Sequence, residues 1–232
     1  MGPVEILAPP YKYHTQVRIG IDARKLHDFG IGTYIRNLLR QLARIDRQTE
    51  FVLLCRPDDR GALATLGENF RSVPETAANY SVSEQVKIPL ALRREGVTLF
   101  HAPHYVLPPL VTCPSVVTIH DCIHLMFPQY LPNRLAHIYA RTSIALAARR
   151  ASRVLTVSES SKRDILRFVD VPADRIDVIH NAYDERFGIE PREEDVARVR
   201  ERYQLHDEFV LYAGNVKPHK NLTRLVEAFD IV

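Results

Sequence analysis

The sequence has few cysteines, no long apolar run and no strong excess of charge, and each shortage excludes a class of protein. Its three cysteines are an odd number without C-x-x-C spacing, which argues against a disulfide framework or structural zinc site and favours a reducing cytoplasm. No apolar stretch approaches the roughly 20 residues that span a bilayer. The formal net charge is +3, from 31 basic and 28 acidic residues, which is too small to indicate nucleic acid as a partner.

The rest of the composition is ordinary for a globular chain. Of 232 residues, 46% are hydrophobic and 25% are charged, so the chain can bury a sizeable core. Residues 1–16 contain three prolines but no basic region followed by an apolar segment. We therefore expect a loose N-terminal leader and not a secretory signal.

Strand and helix patterns alternate along most of the chain. Apolar runs without a helical period, such as residues 51–55 and 114–119, are typical of strands buried on both faces of a parallel sheet. Residues 33–45 have apolar side chains at helical spacing, and Asn133 begins an alanine-rich helix that ends at Arg150. This alternation predicts an α/β fold, a Rossmann-like parallel sheet with helices on both faces.

The composition changes after Tyr183, which divides the chain into predicted parts. A single strand, predicted over residues 209–214, and a single helix, over 221–231, cannot form a core of their own. We therefore expect the last part to be the start of a truncated second Rossmann-like domain. The predicted parts are the leader (1–16), a Rossmann-like domain (17–183), a charged linker with one helix at 193–203 (184–207) and the incomplete second domain (208–232).

The strand at residues 114–119 ends in a histidine and an aspartate, His120 and Asp121. The carboxyl ends of the strands are where open α/β sheets bind ligands. We therefore expect His120 to face a substrate pocket and take both residues as catalytic candidates.

Three further histidines lie near these two residues in the sequence. His101, His104 and His124, with His120 and Asp121, are residue types that bind metals. Their spacing follows no metal-site rule, so a histidine that forms hydrogen bonds or handles a proton is favoured over a metal ligand. A metal-dependent phosphohydrolase built on this group is kept as an alternative.

Two segments have the chemistry of a phosphate site. Gly30 and Gly32 precede a predicted helix, where backbone N–H groups can approach a phosphate. They fail as a dinucleotide fingerprint because Ile35 stands in place of the third glycine. In the second segment, Lys217 and Lys220 flank the start of another predicted helix, so a diphosphate there would meet two cations and free backbone donors.

The helix at residues 133–150 is basic. Arg134, His137 and Arg141 share one face of it. That face could rest on an anionic membrane surface or accept a phosphorylated substrate. A solvated face of a core helix is slightly favoured, because alanine-rich helices with surface arginines are common.

Six short motifs, in this order, resemble those of the family 4 glycosyltransferases of the GT-B fold, a retaining group that includes many mannosyltransferases. The resemblance covers the chain from about residue 17 onward. The matching stretches are GIDAR at 20–24, GIGTY at 30–34, TIHD at 118–121, VSESSK at 157–162, VIHNA at 178–182 and residues 212–221.

The resemblance implies two Rossmann-like domains with a cleft between them, the first binding mainly the acceptor and the second the nucleotide sugar. It implies transfer of a sugar, with mannose preferred, from GDP-mannose or a UDP-sugar to a glycan or lipid-linked acceptor with retention. No metal or other cofactor and no nucleic acid are implied. The helix at 133–150 is the expected point of peripheral contact with the inner membrane.

The resemblance also implies roles for individual residues. His120, with Asp121, would line the catalytic centre and hydrogen-bond the donor sugar. Lys220 would neutralise the leaving diphosphate, which accumulates negative charge as it departs. The residues assigned to donor binding are Gly30, Gly32, Asn215, Lys217 and Lys220, and those assigned to acceptor or phosphate binding are Arg24, Tyr34, His104 and Ser158.

Two departures from the family pattern limit these expectations. Asn215 stands where many relatives carry an arginine. The two glutamates, eight positions apart, that hold the sugar and ribose in the family have no counterpart and are expected beyond residue 232. We therefore expect the 232-residue chain to be inactive alone, and a non-catalytic sugar- or phosphate-binding module remains a further alternative.

Overall fold

The structure is a computed structural model that describes residues 17–205 and 208–231. The predicted leader and two linker residues therefore lie outside the described residues. The chain divides into two compact units, a first that runs up to Cys122 and resumes over Arg141–His180, and a second made of Ile123–Ala140 and the chain from Asn181 onward. The predicted domain boundaries stay predictions.

A seven-stranded, all-parallel sheet is the centre of the first unit. This confirms the predicted parallel α/β architecture. The strand order is β3-β2-β1-β4-β5-β6-β7. The strands found in the described ranges are β1 (Arg18–Asp22), β2 (Glu50–Cys55), β3 (Phe70–Pro74), β4 (Leu99–Ala102), β5 (Ser115–Thr118), β6 (Arg153–Thr156) and β7 (Ile176–Val178).

Helices cover both faces of this sheet. The α-helices of the described residues are α1 (Phe29–Ile45), α2 (Arg60–Leu63), α3 (Val82–Arg94), α4 (Ile123–Met126), α5 (Arg134–Arg150), α6 (Glu159–Phe168), α7 (Glu193–Tyr203) and α8 (Leu222–Phe229). Over these same ranges no helix combines the length and the hydropathy that crossing a bilayer requires.

The direction of chain connection reverses between β1 and β4. Strand β1 pairs with β2 on one side and with β4 on the other, and the chain proceeds outward from these two strands in opposite directions. Loops that follow β1 and β4 therefore diverge, which leaves a crevice at the carboxyl ends of these strands. This switch point is where a ligand site is expected.

The core is densest along β2, as its unbroken apolar sequence predicts. Phe51, Leu53 and Cys55 are at most 1% exposed. Phe51 stacks on Phe70 of the edge strand with ring centroids 4.6 Å apart. Full burial of such a side chain contributes roughly 1.5–3 kcal/mol, so this strand contributes strongly to the stability of the sheet beside β1.

Helix α3 continues through Pro89, where the sequence predicts an interruption or a kink. A proline inside a helix removes one hydrogen bond. Ile88 and Leu92, on either side of it, are 0% and 3% exposed, and this packing holds the helix together. Ser81 begins the helix by accepting a hydrogen bond from the Glu84 backbone N–H at 3.2 Å.

The second unit differs from the sequence prediction in one element. Helices were predicted at 193–203 and 221–231, and α7 and α8 confirm both. The strand predicted over residues 209–214 is not formed. A strand requires a hydrogen-bonded neighbour, and no described segment pairs with this one. Leu211 accordingly is 78% exposed. The sequence identifies an apolar segment here, but it does not specify a strand with which the segment can pair.

Candidate functional site

His120 lies just beyond β5 at the carboxyl edge of the sheet, as predicted. Its Nε2 is 3.0 Å from the Pro103 carbonyl oxygen. A carbonyl only accepts, so Nε2 carries the proton and Nδ1 of the neutral ring is the acceptor. Burial lowers the pKa of His120, although the Pro103 hydrogen bond and the Asp121 charge act to raise it. His120 is therefore a neutral hydrogen-bonding group near pH 7.

Three hydrogen-bonded side chains, those of Thr118, Tyr34 and His101, lie next to His120. The Thr118 hydroxyl lies 3.2 Å from the Tyr34 hydroxyl and 2.9 Å from His101 Nε2. Tyr34 also meets the His120 ring edge-on, with centroids 4.9 Å apart and planes at 85°. Burial, with the charge of His120, lowers the pKa of His101 to about 4, and burial raises the pKa of Tyr34 although the Thr118 bond opposes it. These three side chains form a neutral wall that fixes the ring of His120.

The N-terminus of α6 fixes the backbone of the same turn. Ser158, predicted as an acceptor- or phosphate-binding residue, caps the helix by accepting from the Ser161 N–H at 3.0 Å. The Ser161 hydroxyl in turn donates to the His120 carbonyl oxygen at 2.9 Å. The observed contacts of Ser158 are therefore structural, and its binding role stays a prediction.

Asp121 and Cys122 follow His120 and differ in exposure. Asp121 is exposed, whereas Cys122 is fully buried. Burial, together with the charges of Asp164 and Asp121, raises the pKa of the Cys122 thiol to about 12. The thiol is therefore protonated and is not a nucleophile, which leaves His120 and Asp121 as the chemical groups of this turn.

Arg24, another predicted binding residue, is used by the fold. It is 3% exposed, and its guanidinium bonds Asp22 at 2.6 Å, Glu84 at 2.5 Å and the Ala77 carbonyl at 3.1 Å. Burial acts to lower the pKa of Arg24, but the bonds and charges of Asp22 and Glu84 raise it above its ordinary value. These contacts are structural and give the predicted binding role no support.

The two glycines predicted to precede the helix at residues 33–45 lie inside it. Helix α1 begins at Phe29, so Gly30 and Gly32 belong to its first turn and not to a preceding loop. A side chain at position 32 would collide with the Leu26 carbonyl oxygen, whereas a Cβ at position 30 would meet no described atom within 4 Å. Asp28 makes no side-chain cap. Gly32 is therefore required for packing, and Gly30 faces open space at an uncapped helix end.

The predicted diphosphate segment belongs to the second unit. Lys217 and Lys220 are exposed; Lys217 precedes a single 3₁₀ turn at Pro218–Lys220 and Lys220 ends it, with the Lys220 N–H donating to the Lys217 carbonyl at 2.9 Å. The Asn215 carbonyl accepts from the Tyr212 hydroxyl at 3.1 Å. Both cations are thus close in sequence to the start of α8, as predicted, and their donor-binding role stays a prediction.

The predicted histidine group is divided between different surroundings. His101 and His120 belong to the group around Thr118, and His104 packs on Tyr105 with ring centroids 3.9 Å apart. His124 lies in the second unit, where its carbonyl faces His137. Within the described ranges no three His, Cys, Asp or Glu side chains are placed to hold a metal ion. The metal-dependent alternative gains no support.

A further cavity lies elsewhere in the first unit. It is an open groove of about 400 Å³, lined mainly by α1 and by residues 59–66. None of the residues predicted for the site lines it. The sequence predicted a different place, the carboxyl edge of the sheet at His120 and Asp121, where polar side chains converge.

The fold defines the class: this is the Rossmann-like architecture of GT-B glycosyltransferases. HepE from Anabaena, solved in complex with UDP and glucose, superposes with a TM-score of 0.64 at 16% identity, over 92% of this chain and 57% of HepE. Sucrose-phosphate synthase from Thermosynechococcus elongatus superposes with a TM-score of 0.68 at 16% identity, over 93% and 60%.

The sequence comparison gives the family. Residues 30–187 match Glycosyltransferase Family 4, and the chain belongs to this family. It is 30% identical over 143 residues to O-antigen chain mannosyltransferase B of Escherichia coli, covering 61% of this chain and 37% of that protein. It is 29% identical over 126 residues to alpha-D-kanosaminyltransferase of Streptomyces kanamyceticus, covering 53% and 33%. The chain therefore spans well under two thirds of these relatives.

Sequence reasoning missed part of this edge. The sequence motifs did not predict Thr118, Lys25, Tyr80 or Tyr105 as residues of the site. The burial of Thr118 between two polar side chains was foreseeable from its place at the end of a central strand. The grouping of the other three depends on loop conformation, for which the sequence carries no clear signal.

Proposed function

We propose that the chain is the acceptor-side part of a retaining glycosyltransferase that moves a hexose, preferably mannose, from a nucleotide sugar to a glycan or lipid-linked acceptor. Membership of Glycosyltransferase Family 4 supports the reaction class. The names of relatives, an O-antigen chain mannosyltransferase among them, support mannose and a polysaccharide acceptor. HepE in complex with UDP and glucose supports a nucleotide-sugar donor.

The geometry of His120 is the observation that carries the proposal. Its ring is neutral, its Nε2 proton is engaged by the Pro103 carbonyl, and Tyr34 fixes its plane. Such a ring offers Nδ1 as a fixed acceptor to a sugar hydroxyl. A group already held in place stabilises a transition state without reorganisation at the moment of reaction.

Each unit has its own groups with the chemistry to receive a diphosphate. The open first turn of α1 at Gly30 presents N–H groups and the positive end of the helix dipole. Lys217 and Lys220 would supply two positive charges, and Asn215 stands close to them in sequence. As the diphosphate departs, its negative charge increases, so these contacts would strengthen in the transition state.

The activity test uses the whole protein, as far as its gene extends, with GDP-mannose or a UDP-sugar and a mannosyl acceptor. Release of nucleoside diphosphate should depend on both substrates, and the anomeric configuration of the product reports retention. His120→Ala and Lys220→Ala should each reduce the rate by roughly tenfold to a hundredfold, the scale of a lost transition-state contact.

Matched controls exist for both variants. His27→Ala removes an exposed histidine that pairs with Asp59 and not with the Thr118 group. Lys87→Ala removes an exposed lysine of α3. Both should retain nearly normal turnover. Full activity of His120→Ala and Lys220→Ala would reject the site assignment, and absence of diphosphate release with every donor would reject the function.

Helix α5 is the proposed point of peripheral contact with a membrane. Leu135 and Ile138 are 75% and 55% exposed, and Arg134 lies beside them at the start of the helix. Exposed apolar side chains next to basic ones suit the surface of an anionic bilayer. This contact would bring a lipid-linked acceptor to the enzyme.

Vesicle sedimentation tests this contact. The protein should sediment with vesicles containing phosphatidylglycerol and remain in the supernatant with pure phosphatidylcholine. Arg134→Glu with Leu135→Glu should reduce binding by about tenfold, since each basic residue near such a surface contributes roughly 1 kcal/mol and apolar burial adds to it. The exposed pair Arg198→Glu and Val199→Glu on α7 is the control; equal loss in both variants would refute a specific contact.

A further inference from the structure

Tyr80 has a backbone conformation that a bulky side chain rarely adopts. Its φ is +64°, in the left-handed region where the side chain crowds the backbone. Its side chain is nevertheless 44% exposed. Because such a conformation persists only where the surroundings enforce it, and clusters at functional sites, the reason for this one should be sought in what the ring does.

A buried ionic chain enforces the conformation. The Tyr80 N–H donates to Glu84 Oε2 at 2.7 Å, and Glu84 Oε1 accepts from Arg24 at 2.5 Å. Arg24 is bonded in turn to Asp22, the last residue of β1. Arg24 and Glu84 are 3% and 2% exposed. Burying charges is costly, and hydrogen bonds between them offset part of that cost. This series of hydrogen bonds links β1, in the middle of the sheet, to Tyr80, whose side chain is exposed.

The ring of Tyr80 meets polar groups from the loop after β1. Lys25 Nζ lies 4.8 Å from the ring centroid and 3.2 Å from the Tyr80 hydroxyl. Lys25 Nζ also donates to Asp28 at 2.8 Å. The charge of the Lys25 ammonium is balanced by that of the Asp28 carboxylate, so the groups around the Tyr80 ring offer both hydrogen-bond donors and acceptors without a net charge.

Two further rings come from the loop after β4. His104 lies edge-on to Tyr80, with centroids 5.8 Å apart, and packs against Tyr105 at 3.9 Å. A small cavity lined by Lys25, Pro103 and His104 opens between this loop and the one after β1. We call the surface formed by Lys25, Tyr80, His104 and Tyr105 the Tyr80 platform. It lies at the switch point, and Pro103, next to it in sequence, accepts the hydrogen bond of His120.

We propose that the Tyr80 platform binds a neutral pyranose unit of the acceptor. A pyranose has an apolar face of C–H groups that packs on aromatic rings. Its hydroxyls both donate and accept, which matches the alternating donors and acceptors of Lys25, Asp28 and the Tyr80 hydroxyl. A phosphate would suit the site less well, because the Lys25 charge is already balanced by Asp28. As an acceptor subsite the platform rests on the proposed function, and it adds the sugar unit that the first unit recognises.

Tyr80→Gly tests the platform without breaking the fold. Glycine adopts positive φ freely, so the ring is removed and the backbone stays relaxed. The KM for a mannosyl acceptor should rise at least about tenfold, the scale of a lost aromatic contact in a recognition site, while the KM for the donor and its hydrolysis without acceptor stay unchanged. Tyr80→Phe keeps the ring and should stay within about threefold of the wild type. Equal acceptor KM values in wild type and Tyr80→Gly would overturn the proposal.

Arg24 and Glu84 are positioning residues in this scheme. Glu84→Gln keeps the shape of the side chain but weakens its bonds to Arg24 and to the Tyr80 N–H. The acceptor KM should rise severalfold with donor hydrolysis retained, a split that a general loss of folding would not produce. A parallel loss of both activities would indicate a purely structural role.

A binding experiment separates the platform from the catalytic proposal. Saturation-transfer NMR detects weak contact between protein and ligand protons without any reaction. Methyl α-D-mannopyranoside should receive saturation from the wild-type protein and lose it in Tyr80→Gly. If no donor is turned over but this transfer is observed and lost as expected, the catalytic proposal fails and the platform stands. Equal transfer to both proteins would overturn the platform whatever the activity.

Discussion

The sequence predicts that two turns carry the chemistry, the one after β5 and the one before α8, and the two turns differ in structure. The turn after β5 holds His120 by its ring, through Tyr34 and Pro103, and by its backbone, through Ser161. The turn before α8 carries Lys217 and Lys220 on an exposed surface. The first turn has a fixed geometry with little charge, and the second has charge with little enforced geometry. A fixed neutral acceptor selects a ligand by shape, whereas exposed cations attract any anion.

The contrast extends to the two units as wholes. In the first unit the large apolar side chains along the central strands are buried, with Phe51 and Phe100 at 1% and 0% exposure. In the second unit Leu211 and Phe229 are 78% and 61% exposed. Truncating a buried side chain removes transfer energy and leaves a cavity, while truncating an exposed one removes little. Stability should therefore be concentrated in the sheet.

Phe51→Ala and Phe229→Ala test this difference and have the largest expected effect. Phe51→Ala should lower the free energy of unfolding by about 3–5 kcal/mol, since it empties a packed site next to Phe70. Phe229→Ala should change it by no more than about 0.5 kcal/mol, as is usual for exposed positions. Urea titration followed by circular dichroism measures both. Similar losses would show that the second unit carries as much of the stability as the sheet.

Most of the fold could be predicted because local signals and tertiary packing agree. The run at residues 51–55 has no helical period and becomes the fully buried β2. Asn133 was expected to begin a helix, and its Oδ1 accepts a hydrogen bond from the Ala136 N–H at 2.9 Å at the start of α5. The failed strand at 209–214 shows the limit, because its residues specify an apolar extended segment but not a partner to pair with. The start of α1 was predicted too late because Gly30 and Gly32 have poor helix propensity; Gly32 lies against the Leu26 carbonyl, where no larger residue fits.

The residues of the candidate site that lie at strand ends could be predicted from the sequence. Those whose role depends on contacts with distant residues could not. His120 could be found because a buried strand stops there. The contacts of Arg24 could not be predicted, because a buried arginine and a ligand-binding arginine have the same sequence signature until Asp22 and Glu84 are placed around it. Tyr80 could not be found at all, since nothing in its neighbours' identities specifies a positive φ.

The pH dependence of stability tests how rigidly the turn after β5 is held, because His101 is buried next to His120. The pKa of His101 is about 4 in the folded protein and should be near 6.5 when unfolded. Between these values the unfolded state binds more protons, so stability falls as pH falls from 6.5 towards 4. From pH 8 to pH 5 the expected loss from His101 is about 2 kcal/mol. The lowered pKa of His120 acts in the same direction.

His101→Asn isolates this contribution. An amide can still meet the Thr118 hydroxyl but does not titrate, so the variant should lose most of the pH dependence between 6.5 and 4 while retaining that of His120. Urea midpoints measured at pH 8, 6 and 5 give the slope for each protein. An unchanged slope in His101→Asn would mean that His101 is accessible to protons in the folded state. In that case the wall beneath His120 would be open to solvent, and the contrast between a fixed turn and a loose one would be weaker than the hydrogen bonds imply.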